Sequence, residues 1–211
     1  ALVNELKMLC HRMGLDLNEI IRAASTKPFG YMPFYPGPGL GGHCIPIVPF
    51  YLSWKAREFQ FSTRFIDLAG EINTQMPYYV MAKLEEGLRG QGKKLAGARI
   101  LMLGLAYKKD IDDPRESPAL KLLELLLQKR ASVVYSDPNI PKFPASEHHK
   151  HLKVGSVPVT AEALASIDAA LIVTNHSDFD YELIARYAPL IVDTRNACAA
   201  QVQWRDKIVR A

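Results

Sequence analysis

Hydrophobic and polar residues alternate with helical spacing over the first part of the chain. The first apolar face is formed by Leu2, Leu6, Leu9 and Met13. Gly14 and Asp16 then predict the end of one helix and the N-cap of a second, which runs to about residue 25. Two more helices are predicted over 50–59 and 62–88, and Pro77 should kink or break the longer one. This part is therefore predicted to be all-helical.

The pattern changes near residue 90. Residues 99–107 form an almost continuous apolar run, which is typical of a strand buried on both faces of a parallel sheet. Further strands are predicted over 132–135, 169–174 and 190–193, alternating with helices over 118–129, 161–165 and 181–187. Such alternation predicts an α/β fold with a doubly wound parallel sheet. We place the boundary between a helical domain, 1–91, and a sheet domain, 92–211.

Composition narrows the possible functions. The 211 residues carry a net charge of +4 and are 48% hydrophobic, so a buried core is expected and a small anionic ligand is favoured over nucleic acid. No apolar run approaches the roughly 20 residues of a membrane span. Three widely separated cysteines do not suggest disulfides, and we expect a reducing, cytoplasmic setting. Because the chain opens inside a helical pattern, we interpret it as a fragment.

The best candidate for chemistry is the proline- and glycine-rich loop 27–42, which leads into Cys44. Glycine allows close approach of the backbone to a ligand, proline stiffens the turns, and backbone N–H groups can hold a phosphate or sugar. A helix that begins near Pro46 would favour the nucleophilic thiolate of Cys44. The residues alone leave another interpretation open, in which the loop only turns the chain and Cys44 is a packed thiol. His43 is assigned no role as a base.

Three motifs resemble the UDP-glucose/GDP-mannose dehydrogenase family in their sequence and order. Residues 36–46 read PGPGLGGHCIP and are followed by PFYLSWKA at 49–56. The second motif is GLAYKKD at 104–110, which continues to DPRESP at 113–118, and the third is DTRN at 193–196. The GGHCIP form is more similar to bacterial UDP-N-acetylhexosamine dehydrogenases than to the UDP-glucose enzymes. The resemblance covers nearly the whole chain.

The resemblance implies a helical central domain, through which family members dimerise, followed by a Rossmann-like domain that binds the UDP-sugar. It also implies oxidation of the sugar C6 hydroxymethyl to a carboxylate with two NAD in succession. Cys44 matches the thiol that forms a thiohemiacetal and then a thioester, which water cleaves. A UDP-N-acetylhexosamine is the implied substrate, and UDP-glucose is the alternative. No membrane or nucleic-acid partner is implied.

The resemblance also implies roles for individual residues. The sugar and diphosphate would be held by Tyr35, Pro36, Gly37, Pro38, Gly39, Leu40 and Gly41. Tyr107 matches the aromatic residue near the uridine, and Lys108 matches a basic residue on the nucleotide sugar. Arg195 matches an arginine that contacts the nucleotide sugar, and Arg115 matches one that reaches NAD. Guanidinium groups suit phosphates because they bind them bidentately.

Plainer interpretations of these residues stay open. Lys108 and Lys109 could be a solvated pair at the end of a strand. Arg115 could instead form a local ion pair with one of three acids, Asp112, Asp113 or Glu116. Cys10 and Cys198 are predicted to be packed thiols.

Two departures from the family pattern matter. Family members carry an N-terminal domain with a G-x-G-x-x-G turn between a strand and a helix, and no such domain is present in the chain. NAD would therefore bind mainly to that absent N-terminal domain, and the chain alone should be inactive. Val48 stands where the family usually has an aspartate. The loss of that acid–base group would slow thioester hydrolysis by roughly 10²–10⁴-fold. The alternative is an impaired UDP-sugar-binding or dimerisation module.

Two other groups of polar residues are given no catalytic role. Asp137, in an Asp-Pro pair, is interpreted as a turn residue. Three nearby histidines suggest a metal site, but no cysteine or acidic cluster completes it, so no metal is predicted. They are His148, His149 and His151.

Overall fold

The computed structural model describes residues 1–144, 152 and 154–211. Its first part, the helical region (residues 1–90), contains α1 (Leu2–Arg12), α2 (Leu17–Ala24), α3 (Cys44–Arg57) and α4 (Arg64–Gly90). Asp16 caps α2, as predicted, because its side chain accepts the backbone N–H of Asn18 at 2.9 Å. Helix α3 begins at Cys44 rather than at residue 50. Pro46 lies in its first turn, where proline is tolerated, and Pro49 lies inside the helix.

Pro77 was predicted to kink or break the helix; the break does not occur, since α4 continues through Pro77, and the kink stays a prediction. Proline inside a helix costs about 3 kcal/mol, because it removes a hydrogen bond and crowds the preceding turn. Met76, Pro77 and Val80 are buried, and this packing offsets the local cost. The Asn73 carbonyl, which has lost its usual N–H donor four residues on, lies close to Gly39 of the loop.

The described residues of the second part, the sheet region (residues 99–211), form five parallel strands in the order β2-β1-β3-β4-β5. The strands are β1 (Arg99–Leu103), β2 (Ser132–Ser136), β3 (Ala169–Ile172), β4 (Ile191–Asp193) and β5 (Ile208–Arg210). The helices are α5 (Pro118–Gln128), α6 (Ala161–Ala165), α7 (Tyr181–Tyr187) and a 3-10 helix over Val202–Lys207. This arrangement confirms the predicted α/β class with a helical part followed by a Rossmann-like sheet.

The edge strand β5 was not predicted, because three residues carry too weak a pattern. Strand β1 is shorter than the predicted 99–107. Beyond Leu103, the backbone N–H groups of Leu105 and Ala106 donate to the Asp137 side chain instead of to a neighbouring strand. Their burial therefore reflects loop packing, which an apolar run in the sequence does not distinguish from a strand.

Hydrophobic clusters cover both faces of the sheet. Side chains of β1 alternate between them, so Ile100 and Met102 pack with α4 and α5, while Leu101 and Leu103 pack with α6 and α7. The first cluster includes Val80, Leu84 and Leu88 of α4, so the long helix contributes to the sheet core. The domain boundary at residue 91 stays a prediction.

Helices α1 and α2 share a small core made of Cys10, Leu17 and Ile21. Cys10 and Cys198 are both buried and free, as predicted for packed thiols. Across the described residues, no helix is both long and apolar enough to cross a membrane.

Candidate functional site

The carboxyl edge of the sheet brings several of the predicted residues to one side of the molecule. Tyr107 and Lys108 follow β1, and Arg195 follows β4. Neighbouring β1 and β3 connect in opposite directions across the sheet, which makes the gap between them a topological switch point. Open α/β sheets bind ligands at such a point, beyond the carboxyl ends of the strands.

The glycine-rich loop lies against this edge. The Gly42 N–H donates to the Arg115 carbonyl at 2.9 Å. A Cβ atom at Gly41 would overlap the Tyr107 side chain and lie 2.9 Å from the Glu116 carbonyl, so only glycine fits this close approach. The loop is thereby fixed to the segment that connects β1 with α5.

Cys44 is exposed and is the first residue of α3, two positions after the loop ends. The pKa of Arg115 is raised, mainly by its hydrogen bonds to Asp113 and to a smaller extent by Tyr107 and Cys44 nearby. The cysteine is accessible at the surface, two residues after Gly42, whose N–H is bound to the Arg115 carbonyl. Cys44 is therefore not a packed thiol, the alternative that the sequence left open.

Arg115 forms the local ion pair that the sequence left open, and its partner among the three acids is Asp113. Nη2 lies 2.6 Å from Oδ2, and Nε lies 3.0 and 2.9 Å from the two carboxylate oxygens. The arginine hydrogen bond holds the Asp113 pKa below its usual value. Because Arg115 is exposed, its guanidinium stays accessible at the mouth of the site.

Arg195 lies under the opposite end of the loop. Its Nε donates to the Val173 carbonyl at 2.9 Å, and its backbone N–H donates to Asp193 at 2.9 Å. A Cβ atom at Gly37 would overlap the guanidinium, so a larger residue there would require the end of the Arg195 side chain to move. Burial lowers the pKa of Arg195, and Asp193 opposes this shift. A desolvated guanidinium of this kind would be stabilised by an anionic ligand.

The other predicted residues differ in how accessible they are. Pro36, Gly37, Pro38 and Gly39 are buried, whereas Tyr35 and Leu40 are exposed. Tyr107 is half-buried, and Lys108 is exposed. The structure thus places Gly41, Tyr107, Arg115 and Cys44 together. Within the described residues, no hydrogen bond or ion pair links Cys44 to Lys108 or to Arg195.

A cavity of about 670 Å³ lies beside the loop. Its walls come from the loop, α3, α4 and α5, and they include Leu40, Ile45, Phe50 and Phe65. Ile45 follows Cys44 directly, so this largely apolar space begins next to the thiol.

Two domains of one known protein family match consecutive parts of the chain. Residues 1–75 match the UDP-glucose/GDP-mannose dehydrogenase family, central domain, and residues 101–200 match the same family, UDP binding domain. The chain belongs to this dehydrogenase family. The two matched parts correspond to the helical region and the sheet region.

Several relatives in this family cover most of the chain. It is 31% identical over 179 residues to the UDP-N-acetyl-D-glucosamine 6-dehydrogenase of Pseudomonas aeruginosa, matching 85% of this chain and 41% of the relative. It is 33% identical over 184 residues to the UDP-N-acetyl-D-mannosamine dehydrogenase of Escherichia coli K12, matching 85% and 42%.

A solved UDP-D-ManNAc dehydrogenase from Pyrococcus horikoshii has the same fold, with a TM-score of 0.78 and 32% identity. The match covers 93% of this chain and 44% of that one. The chain thus spans less than half the length of these dehydrogenases.

Asn4 contacts the glycine-rich loop of the candidate site, which the sequence did not reveal. Buried in α1, it donates to Asn73 Oδ1 at 2.9 Å and accepts the Gly37 N–H at 3.0 Å. It therefore connects α1, α4 and the loop. A polar residue in a helix gives no sign of such a contact in the sequence.

The interpretation of Asp137 as a turn residue missed its contact with His176. Asp137 is buried beyond β2 and is hydrogen-bonded to His176, which is buried beyond β3. Polar residues after adjacent predicted strands were the available signal. The three clustered histidines lie outside the described residues, and no metal-binding group of three or more side chains occurs in the part of the chain that the structure describes.

Proposed function

We propose that this chain is the central and UDP-binding part of an NAD-dependent 6-dehydrogenase. It would oxidise the C6 hydroxymethyl of a UDP-N-acetylhexosamine to a uronate. The observation that carries the proposal is the exposed Cys44 directly after a loop that lies against Tyr107 and the Arg115 backbone, at the carboxyl edge of the sheet. The names of the relatives support the substrate class, with UDP-glucose as the alternative.

The nucleotide would occupy the carboxyl edge between β1 and β3. Tyr107 would stack against the uridine, while Lys108 and Arg195 would neutralise the diphosphate. The N–H groups of Gly37 and Gly42 already donate to Asn4 and to the Arg115 carbonyl. We therefore assign these two glycines to the shape of the loop and leave ligand hydrogen bonds to its other residues.

Cys44 would keep the intermediate bound. Its thiolate adds to the aldehyde carbon of the first oxidation product, and the former carbonyl oxygen takes up a proton, giving a thiohemiacetal. Oxidation of that adduct gives a thioester. Water then attacks the thioester carbon, the carbon–sulfur bond breaks, and the uronate and the thiol are released.

NAD, when bound, would accept the hydride in each oxidation. Arg115 is the residue of this chain that we propose to reach it, because its guanidinium is exposed at the mouth of the site. The G-x-G-x-x-G spacing occurs in this chain at Gly37, Gly39 and Gly42, but the element before that loop is helix α2 rather than a strand. The dinucleotide would therefore bind mainly to a domain outside these 211 residues. The chain alone would then be inactive.

Val48 supports a second candidate function, an impaired UDP-sugar-binding and dimerisation module. It is exposed and lies four residues after Cys44, so both side chains are on the same face of α3. Valine can neither take up nor release a proton for the water attack.

The full-length protein should therefore be tested for NADH formation with UDP-N-acetylglucosamine, UDP-N-acetylmannosamine and UDP-glucose. Cys44→Ser should lower turnover by at least about 10³-fold. Cys10→Ser, which changes a buried thiol in α1, is the matched control. Alkylation of Cys44 should be slowed by the UDP-sugar. Val48→Asp should increase turnover, and UDP-sugar binding without turnover even in that variant would favour the second function.

We also propose that two copies associate through the helical region, whose α3 and α4 expose large apolar side chains such as Trp54 and Phe65. Contiguous exposed apolar surface usually marks an interface. Free thiols at all three cysteines suit a reducing compartment, and the cytoplasm is the proposed location.

A further inference from the structure

We infer that the buried Asp137–His176 pair is a positioning device for residues 105–110, the segment that carries Tyr107 and Lys108. The inference rests on the proposed function, because these two residues are the proposed nucleotide contacts. The pair connects the ends of β2 and β3 to the segment that leaves β1 between them.

Asp137 holds the start of the segment. Its side chain is fully buried, and Oδ2 accepts the N–H groups of Leu105 at 2.6 Å and Ala106 at 3.0 Å. Oδ1 accepts the N–H groups of Asn139 at 2.8 Å and Ile140 at 3.0 Å. Burial alone would raise the Asp137 pKa, but the hydrogen bonds from His176 and the two backbone groups hold it below its usual value. The residue is therefore a carboxylate that attracts several N–H groups at once.

His176 holds the end of the segment. Its ring is fully buried, and Nδ1 lies 3.0 Å from the backbone nitrogen of Asp110. Because a backbone N–H can only donate, Nδ1 must accept, and the ring proton lies on Nε2. Nε2 then donates to Asp137 Oδ2 at 3.1 Å. The ring thus links the carboxylate at one end of the segment to the backbone at the other.

Tyr107, Lys108 and Lys109 are the only residues between the two attachment points. Thr174 donates to the Ala106 carbonyl at 2.6 Å, and Ser177 donates twice to the Asp110 carboxylate at 2.7 Å. Each of these contacts also lies at an end of the segment.

Within the segment, Tyr107 has two further contacts. Its N–H donates to the Asp113 carbonyl at 3.0 Å, and its side chain lies against Gly41 and Gly42. Loss of the buried pair should therefore displace Lys108 most, and should move Tyr107 to the extent that its contacts with Asp113 and the glycine-rich loop allow, while β1 itself stays paired.

A matched control lies at the opposite edge of the same sheet. Asp168 also accepts a backbone N–H of the β1 strand, from Arg99 at 2.7 Å, and it pairs with Lys93. It is a carboxylate with a similar kind of backbone contact but without any contact to 105–110. Asp168→Asn should affect folding stability and leave nucleotide affinity unchanged.

The test uses UDP binding to the full-length protein, measured by calorimetry well below each variant's unfolding temperature. Asp137→Asn and His176→Leu should weaken UDP binding by on the order of ten- to a hundredfold, as expected when contacting groups are displaced. In His176→Asn the new side chain is close in size to leucine but retains an acceptor for the Asp110 N–H. This variant should therefore lose less UDP affinity than His176→Leu. Amide exchange at 105–110 should accelerate in the two stronger variants, relative to the amides of β1.

The inference is overturned if folded Asp137→Asn and His176→Leu bind UDP within twofold of the unchanged protein. It is also overturned if Asp168→Asn loses as much affinity, because the pair would then be only structural. If the unchanged protein does not bind UDP, the proposed function fails. Selective exchange at 105–110 would still test in that case whether the pair positions the segment.

Discussion

The helical and sheet regions differ in how completely they bury their own apolar side chains. The sheet has helices on both faces, and most of its strand residues are inaccessible to solvent. Among the described residues, the large apolar side chains that remain exposed are almost all in the helical region, and only Tyr187 and Val202 belong to the sheet region. The sheet region is therefore close to self-sufficient, whereas the helical region has surface left to cover.

Helix α3 shows this difference most clearly. Phe50, Tyr51, Leu52 and Trp54 are all exposed, although they occupy different sides of the helix. A helix with apolar residues all round is normally buried in a larger core. The proposed second copy, or the rest of a longer protein, would supply that core. Four substitutions test the comparison, in order of their expected effect on the free energy of unfolding.

The largest effect is expected from Leu101→Ala in the sheet core. Leu101 is fully buried in β1, so the substitution should lower the free energy of unfolding by about 3 kcal/mol, through lost burial and a residual cavity. The matched control is Leu52→Ala in α3, which is 59% exposed and should change it by less than about 0.5 kcal/mol. Urea unfolding of the chain measures both. Equal losses would contradict the proposed difference between the regions.

Asn4→Ala should have the next largest effect. It leaves the Gly37 N–H without its acceptor and Asn73 without its donor, and should lower the free energy of unfolding by about 2 kcal/mol. Asn4→Asp keeps an acceptor for Gly37 and should lose less. Unfolding curves, with amide exchange at Gly37, distinguish the two variants. An unchanged exchange rate in Asn4→Ala would show that Asn4 does not hold the loop.

A smaller effect is expected where α2 meets the sheet edge. Arg210 Nη1 lies 2.5 Å from Asp16 Oδ2. Asp16→Asn keeps an N-cap but removes this ion pair, so it should lower the free energy of unfolding by about 0.5 kcal/mol at neutral pH. Arg210→Gln is the reciprocal control. The double variant should lose no more than either single one if the pair acts as a unit.

The Asp16 effect should also depend on pH. Burial alone would raise the pKa of Asp16, but Arg210 and the Asn18 N–H hold it below its usual value. The folded protein thus binds the proton less readily than the unfolded chain does. The contribution is fully present above the unfolded pKa of about 3.9 and is lost as the pH falls through the lower folded pKa. Unfolding curves of Asp16→Asn and the unchanged chain should converge there.

The smallest change in unfolding free energy is expected for Trp54→Ala. Trp54 is exposed on α3, so the isolated chain should lose less than about 0.5 kcal/mol. Self-association should weaken if Trp54 lies in the proposed interface. Sedimentation equilibrium of both proteins measures this, with Glu58→Ala as a polar control from the end of α3. Identical association constants would remove Trp54 from the interface.

The order of helices and strands could be predicted because each element carries its own periodicity. The errors arose where tertiary contacts outweighed local preference. Pro77 lies in an unbroken helix because its neighbours are buried, and 104–107 leave the sheet because Asp137 takes up two N–H groups. The strand β5 was missed because it is too short to have a recognisable pattern of its own.

The site residues also divide into those that the local sequence pattern identifies and those that depend on tertiary contacts. Cys44 and its loop stand out locally, through glycine, proline and cysteine in one short stretch. The partners of Asn4 and Asp137 lie 33 residues or more along the chain, at Gly37 and at His176. A single sequence contains no signal for such distant pairs. The acid that pairs with Arg115 also had to be read from the structure.

The sequence by itself determined a helical part, a parallel-sheet part and a cysteine directly after a glycine-rich loop. Those features depend on short-range spacing and on the chemistry of adjacent residues. The tertiary structure decided that the loop before Cys44 lies against Tyr107 and Arg115, and that Asp137 and His176 form a buried pair beyond the ends of β2 and β3. Strand order and loop packing bring these residues together, and both depend on contacts between distant parts of the chain.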